Sequence, residues 1–99
     1  MFNKEQKEAF IKEYLRSKVV AETSLYALFR KAEPFEEEIN KDASIFTREE
    51  ILNMFAKFKA KSVNSLLNYN IILKHYSRFI LKEVGTNAYE SIVKSDVAN

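Results

Sequence analysis

The stretch KSVNSLLNYNIILKHYSRFILKEVG, Lys61 to Gly85, is the longest run of one character in the chain. It opens with small polar residues and closes on the only glycine. On a helical wheel Leu66, Tyr69, Leu73, Tyr76, Ile80 and Val84 fall on one stripe. Ile72 and Phe79 widen the stripe on one side, and Val63, Leu67 and Leu81 on the other. A helix apolar over that much of its girth packs against several neighbours at once. The stretch therefore reads as the central helix of a bundle. Ser62 or Ser65 caps its start, and Gly85 takes the left-handed position that stops it. Asn64, Asn68, His75, Arg78 and Lys82, interrupted by Ile71, form the opposite, polar face.

Working outward, FTREEI gives the clearest start signal. Thr47 is the N-cap and Glu50, three residues on, completes a capping box. Phe46 before the cap packs on Ile51, and Ile51, Met54, Phe55 and Phe58 make the buried face of a helix that KFKAKS ends. Nearer the N-terminus, Asn3 and Gln6 suggest a reciprocal cap, followed by an apolar face of Phe10, Ile11, Tyr14 and Leu15 that fades near Lys18. Thr23 or Ser24 caps a further helix with Leu25, Leu28, Phe29 and Ala32 on one side. Pro34 removes a backbone donor and clashes one turn back. Two segments that nearly continue each other are expected, with Glu36, Glu37 and Glu38 as a solvated first turn of the second. The expected fold is all-α, a compact four-helix orthogonal bundle with no sheet. After Gly85 a weak apolar set (Tyr89, Ile92, Val93) makes at most a short helical turn before the chain leaves the domain.

Composition agrees. Ninety-nine residues with one Gly and one Pro leave little material for tight turns. Without cysteine there is no disulfide or thiolate site, which suits a reducing compartment. There is no run of about 18 apolar residues to span a membrane, and MFNKEQKEAF lacks the apolar core of a signal peptide. A cytoplasmic protein is expected. The net charge is only +2 but unevenly spread: residues 1–50 hold 9 basic and 11 acidic side chains, residues 51–99 hold 7 and 3. Between Lys57 and Lys82 there are six basic residues and no acid, a local field of the sign a polyanion feels.

Catalytic chemistry finds no footing. His75 is the single histidine, and Ile71, Ile72, Arg78 and Phe79, its helical neighbours, offer no ligand. No GxSxG elbow or Gly-rich phosphate loop exists, and three consecutive glutamates point in three directions. No enzyme activity, cofactor or metal is expected of this chain. What remains is the surface around the start of the central helix. Lys57, Lys59 and Lys61 suit phosphates; Ser62, Asn64, Ser65 and Asn68 suit phosphate or base edges. The same residues also read as caps and solubilising groups.

The chain resembles the N-terminal core-binding, or SAM-like, domain of phage integrases and other tyrosine recombinases. EAFIKEYL resembles the family's first helix, TSLYALFRKAEPFEEEI the second, FTREEILNMFAKF the third and the Lys61–Gly85 stretch the fourth. TNAYESI is similar to the exit toward the catalytic domain, with Ala88 where proline is usual; Leu25, Phe29 and Pro34 also depart from the usual pattern. The resemblance implies a core-binding domain over residues 1–86 and an exit segment over 87–99 toward a C-terminal catalytic domain. It implies that the second and fourth helices approach the major groove of double-stranded DNA, adding Lys18, Thr23 and Ser24 to the DNA-binding candidates. The implied partners are duplex DNA, that catalytic domain and other recombinase protomers. The implied setting is a bacterial or prophage-encoded, nucleoid-associated protein. The competing reading is a small helical protein–protein interaction module anchored by an exposed apolar residue such as Ile71.

Overall fold

The computed structural model describes residues 1–59, 62–82 and 87–98. They form α1 (Lys4–Ser17), α2 (Glu22–Ile39), a 3-10 turn (Ala43–Ile45), α3 (Arg48–Lys57), α4 (Val63–Leu81), a second 3-10 turn (Ala88–Ser91) and α5 (Lys94–Val97). Among the described residues there is no strand, so the all-α expectation holds. The chain divides into two units, residues 1–42 and 43–99.

In the first unit α1 and α2 share an apolar seam. Phe10 and Ile11 of α1, and Leu25, Leu28, Phe29 and Ala32 of α2, are all buried. The Phe10 ring meets Phe29 edge to face, with centroids 6.0 Å apart, an arrangement that aromatic quadrupoles favour. The start of α1 departs from expectation. Asn3 has a left-handed backbone (φ 47°, ψ 52°) rather than the extended geometry of a capping residue, and makes no side-chain cap bond. Its Nδ2 donates instead to Asp42 Oδ1 at 3.1 Å. Nor do Thr23 and Ser24 cap α2. The helix begins at Glu22 behind an extended Ala21, so both already lie in its first turn.

Pro34 does not divide α2, which runs unbroken through it. Leu28, Phe29 and Ala32 before the proline and Glu36 after it are buried on one stripe, which holds both halves in register. Pro34 and Arg30 are exposed, so the missing helix bond lies on the solvent side of α2. Asn40 closes the helix in the left-handed conformation, its N–H donating to the Glu36 and Glu37 carbonyls. Glu36 is therefore no solvated first-turn acid. It is fully buried, and Lys7 Nζ donates to both of its carboxylate oxygens at 2.7 Å. Lys7, also fully buried, further donates to the Phe2 carbonyl at 2.6 Å and lies 3.4 Å from Asp42 Oδ1.

The second unit opens on the 3-10 turn and α3. Here the expected cap is present: Thr47 Oγ1 accepts from the Glu50 N–H at 3.3 Å, and Glu50 Oε1 accepts from the Thr47 N–H at 2.8 Å. Phe46 and Ile51, on either side of this box, are both buried. Thr47→Ala should cost about 1 kcal/mol of stability and Thr47→Ser much less, as read by the urea midpoint. Equal midpoints for wild type and Thr47→Ala would show that the box contributes nothing.

α4 buries Leu73 and Tyr76 as expected, with Leu66, Tyr69 and Ile80 half-buried. Two polar residues join that face unforeseen. Ser77 Oγ donates to the Ser44 carbonyl at 2.6 Å, and Asn70 Nδ2 to the Tyr89 carbonyl at 2.9 Å. Leu81, expected to widen the apolar face, is exposed instead. The helix stops at Leu81, earlier than the Gly85 signal, with Lys82 left-handed (φ 53°) and its N–H on the Arg78 carbonyl. Val84 and Gly85 lie outside the described residues. The segment after them makes the expected short helical turns but stays on the unit. Tyr89, 1% exposed, donates its hydroxyl to the Ala43 carbonyl at 2.5 Å. Asn87 Nδ2 donates to the Lys74 carbonyl at 3.2 Å, and Asp96 pairs with Arg48 at 2.5 Å.

Candidate nucleic-acid interface

In the second unit the connection from α3 to α4 is fixed by a ring. Phe58 leaves the helix in extended conformation (φ −70°, ψ 134°) and stacks its edge on Phe55 at 5.6 Å and on Tyr69 at 5.9 Å. Lys57 and Lys59 flank this anchored ring and are both exposed. Lys61 lies outside the described residues.

Ser62 is the N-cap of α4. Its Oγ accepts from the Ser65 N–H at 3.2 Å and lies 3.2 Å from Ser65 Oγ. That bond satisfies one of the open donors of the first turn. Ser62 and the half-buried Ser65 thus shape the helix start, while Asn64 and Asn68 are exposed on it. No acid stands in the first turn of α4, so the positive end of the helix dipole is unopposed there.

The exposed face continues past the expected amides. Asn64, Asn68, Ile71, His75, Arg78 and Lys82 recur at helical spacing, opposite Leu73. Ile71 is 44% exposed, and His75 and Arg78 are half-buried. Arg78 is held by an ion pair with Glu90 from the tail side. Its charge is therefore partly answered within the unit, and the unopposed end of the stripe is the N-terminal one.

The remaining candidates belong to the first unit. Lys18 is the extended residue that ends α1, and Thr23 and Ser24 lie in the first turn of α2; all three are exposed. Sequence reasoning missed two arginines that the fold engages, Arg78 with Glu90 and Arg48 with Asp96. Nothing in their spacing announces the pairing, because each acid lies in the tail.

A cavity of about 150 Å³ in the second unit lies among Phe55, Phe58, Leu66 and Val97, with Asp96 as its titratable group. The Val93 N–H, then Arg48, holds that carboxyl below the usual carboxylate range. Among the described residues no group of three or more His, Asp or Glu side chains is placed to hold a metal ion. No helix among them is long and apolar enough to cross a membrane.

Comparison with known families gives a match over most of the chain. A family model described as the N-terminal core-binding domain of MrpR matches residues 1–82. That span takes in α1 to α4 entire and ends at the residue that closes α4. No match was found among curated proteins or among solved structures.

Proposed function

Because this chain belongs to the MrpR N-terminal core-binding domain family, we propose that it is a DNA-binding domain of a site-specific recombinase of the phage integrase type. In this role it clamps and positions the core recombination site and carries out no chemistry itself. The catalytic arginines, histidine or lysine, and tyrosine belong to a C-terminal domain of the same parent chain. On this reading residues 87–99 lead toward that domain, held on the way to their own unit at Asn87, Tyr89 and Asp96. The other partners are further recombinase protomers on the same DNA, in a bacterial cytoplasm.

One observation carries the reading. From Lys57 to Lys82 the chain has six basic side chains and no acid, and within that span α4 turns Asn64 and Asn68 outward. Lysines neutralise phosphates and release counterions, which supplies affinity and makes it salt-dependent. Exposed amides add a means of reading base edges. Lys18, Thr23 and Ser24 are a second contact of the same kind from the first unit.

The test is a titration of duplex DNA at two salt concentrations. Replacing Lys57, Lys59 and Lys61 with alanine should weaken binding and flatten the dependence of log affinity on log salt by about one unit per lost phosphate contact. If affinity and slope are both unchanged, this surface is not the interface. The exposure of Ile71 and Val93, 44% and 54%, favours a second reading, a protein–protein module. Such a module shows no salt-dependent DNA binding in the same titration.

A further inference from the structure

The outward stripe of α4 has a composition that phosphate binding alone does not call for. Asn64, Asn68 and Ile71 stand at positions i, i+4 and i+7, within a narrow sector of the helix and opposite the fully buried Leu73. Lysines would serve a purely electrostatic face better, yet this sector holds two short amides and a branched apolar side chain. An isoleucine 44% exposed in that row has its side chain directed at whatever meets the face. Its flanks are basic, with Lys57 and Lys59 before it and Lys74 and Lys82 after, so a polyanion is the complementary occupant.

We propose that Asn64, Asn68 and Ile71 read A·T base pairs from the major groove. The amides would pair with adenine edges and Ile71 would pack on a thymine methyl group. The inference rests on the DNA-binding reading above and names the base chemistry recognised. Each part has a physical basis. An asparagine amide presents one donor and one acceptor, the complement of adenine N7 and N6–H. The thymine 5-methyl is the one apolar group on a major-groove edge, and an aliphatic side chain gains by covering it. Seven residues of helix rise about 10.5 Å, roughly the rise of three base pairs, so the three side chains reach adjacent steps of one short site. Arg78, paired with Glu90, limits the reading half of the stripe to its N-terminal turns.

The experiment uses the full 99-residue chain. A random-sequence duplex pool is enriched for binding at moderate salt, and the most enriched duplex is resynthesised in two altered forms. Deoxyuridine in place of thymidine removes only the methyl group; 7-deazaadenine removes only the N7 acceptor. The enriched core should be rich in A·T pairs. Wild type should lose about fourfold per contacted methyl on the uridine duplex, and about tenfold on the deazaadenine duplex. Ile71→Ala should bind the thymidine and uridine duplexes equally; Asn68→Ala should lose part of the response to deazaadenine, and Asn64→Ala combined with Asn68→Ala should lose all of it. The modified duplexes test the idea even if a variant fails to fold. Salt-dependent binding with no A·T enrichment, or with equal affinity for all three duplexes, leaves the DNA reading standing and overturns the base assignment. Absence of binding to any duplex at low salt overturns both. Self-association of the chain that Ile71→Ala abolishes, with wild-type affinity for thymidine and uridine duplexes unchanged, assigns Ile71 to a second copy and overturns its role here.

Discussion

Lys7→Met should destabilise the first unit by about 3–5 kcal/mol, the cost of leaving a buried ion pair without one partner. Lys7 is fully buried, and its ammonium is answered from every side. Both Glu36 oxygens lie at 2.7 Å, the Phe2 carbonyl at 2.6 Å and Asp42 at 3.4 Å. The rings of Phe2 and Phe29 approach it at 5.3 and 5.6 Å, within the range of cation–π attraction. Methionine keeps the volume of the side chain and removes the charge, so Glu36 and Asp42 lose the buried ammonium that both face. A chain of this size has a total stability of only about 5–15 kcal/mol, so the loss is a large fraction of it. The double variant Lys7→Met with Glu36→Leu should recover most of the deficit, because a buried pair replaced as a whole by apolar groups is often neutral. Recovery should be incomplete. Asp42, 7% exposed, loses its contact with Lys7 and retains the bond from Asn3. Urea unfolding of the three proteins measures this directly. A double variant no more stable than Lys7→Met alone would show that the ion pair is not the source of the loss.

That pair also shows where the sequence was legible and where it was not. Glu36 lies four residues after Ala32 and seven after Phe29, on the same stripe as both. Spacing alone therefore placed it on the buried face. Reading it with Glu37 and Glu38 as a block of like charge obscured this, because neighbours in sequence are not neighbours on a helix. Lys7, three before Phe10 and four before Ile11, carried the matching signal. The Thr47–Glu50 cap was legible because its bonds span three residues and need no distant partner. Asn70 and Ser77 were not, since what makes them tolerable in a core is a carbonyl 19 or 33 residues away. Pro34 misled for the same reason: the local penalty was read correctly, but burial on both sides outweighs it. At the candidate interface Asn64, Asn68, Lys57 and Lys59 were legible as exposed groups. The cap of α4 was open between Ser62 and Ser65, and only the geometry of the first turn selects Ser62.

Tyr89→Ala should cost the second unit about 3–5 kcal/mol, the usual range for removing a large buried aromatic side chain. Tyr89→Phe, which deletes one buried hydroxyl bond and keeps the ring, should cost about 1 kcal/mol. The difference arises because the tyrosine does two things. Its ring fills the core at 1% exposure, and its hydroxyl ties residue 89 to Ala43 at the opposite end of the unit's sequence. Its own carbonyl accepts from Asn70, so the tail and α4 are joined at the same point. Asn87 on the Lys74 carbonyl and Glu90 on Arg78 add two more ties to α4. All of these leave the Asn64–Asn68–Ile71 sector facing outward. A loosened tail should therefore act on DNA binding only through the order of α4. Below its melting temperature Tyr89→Ala should bind duplex DNA more weakly than wild type with the same salt slope, because the number of phosphate contacts is unchanged. Thermal melts and the two-salt titration together decide the matter. A Tyr89→Ala protein that melts with wild type would mean that the tail adds nothing to the fold. A changed slope would mean that the tail itself contributes to the phosphate contacts.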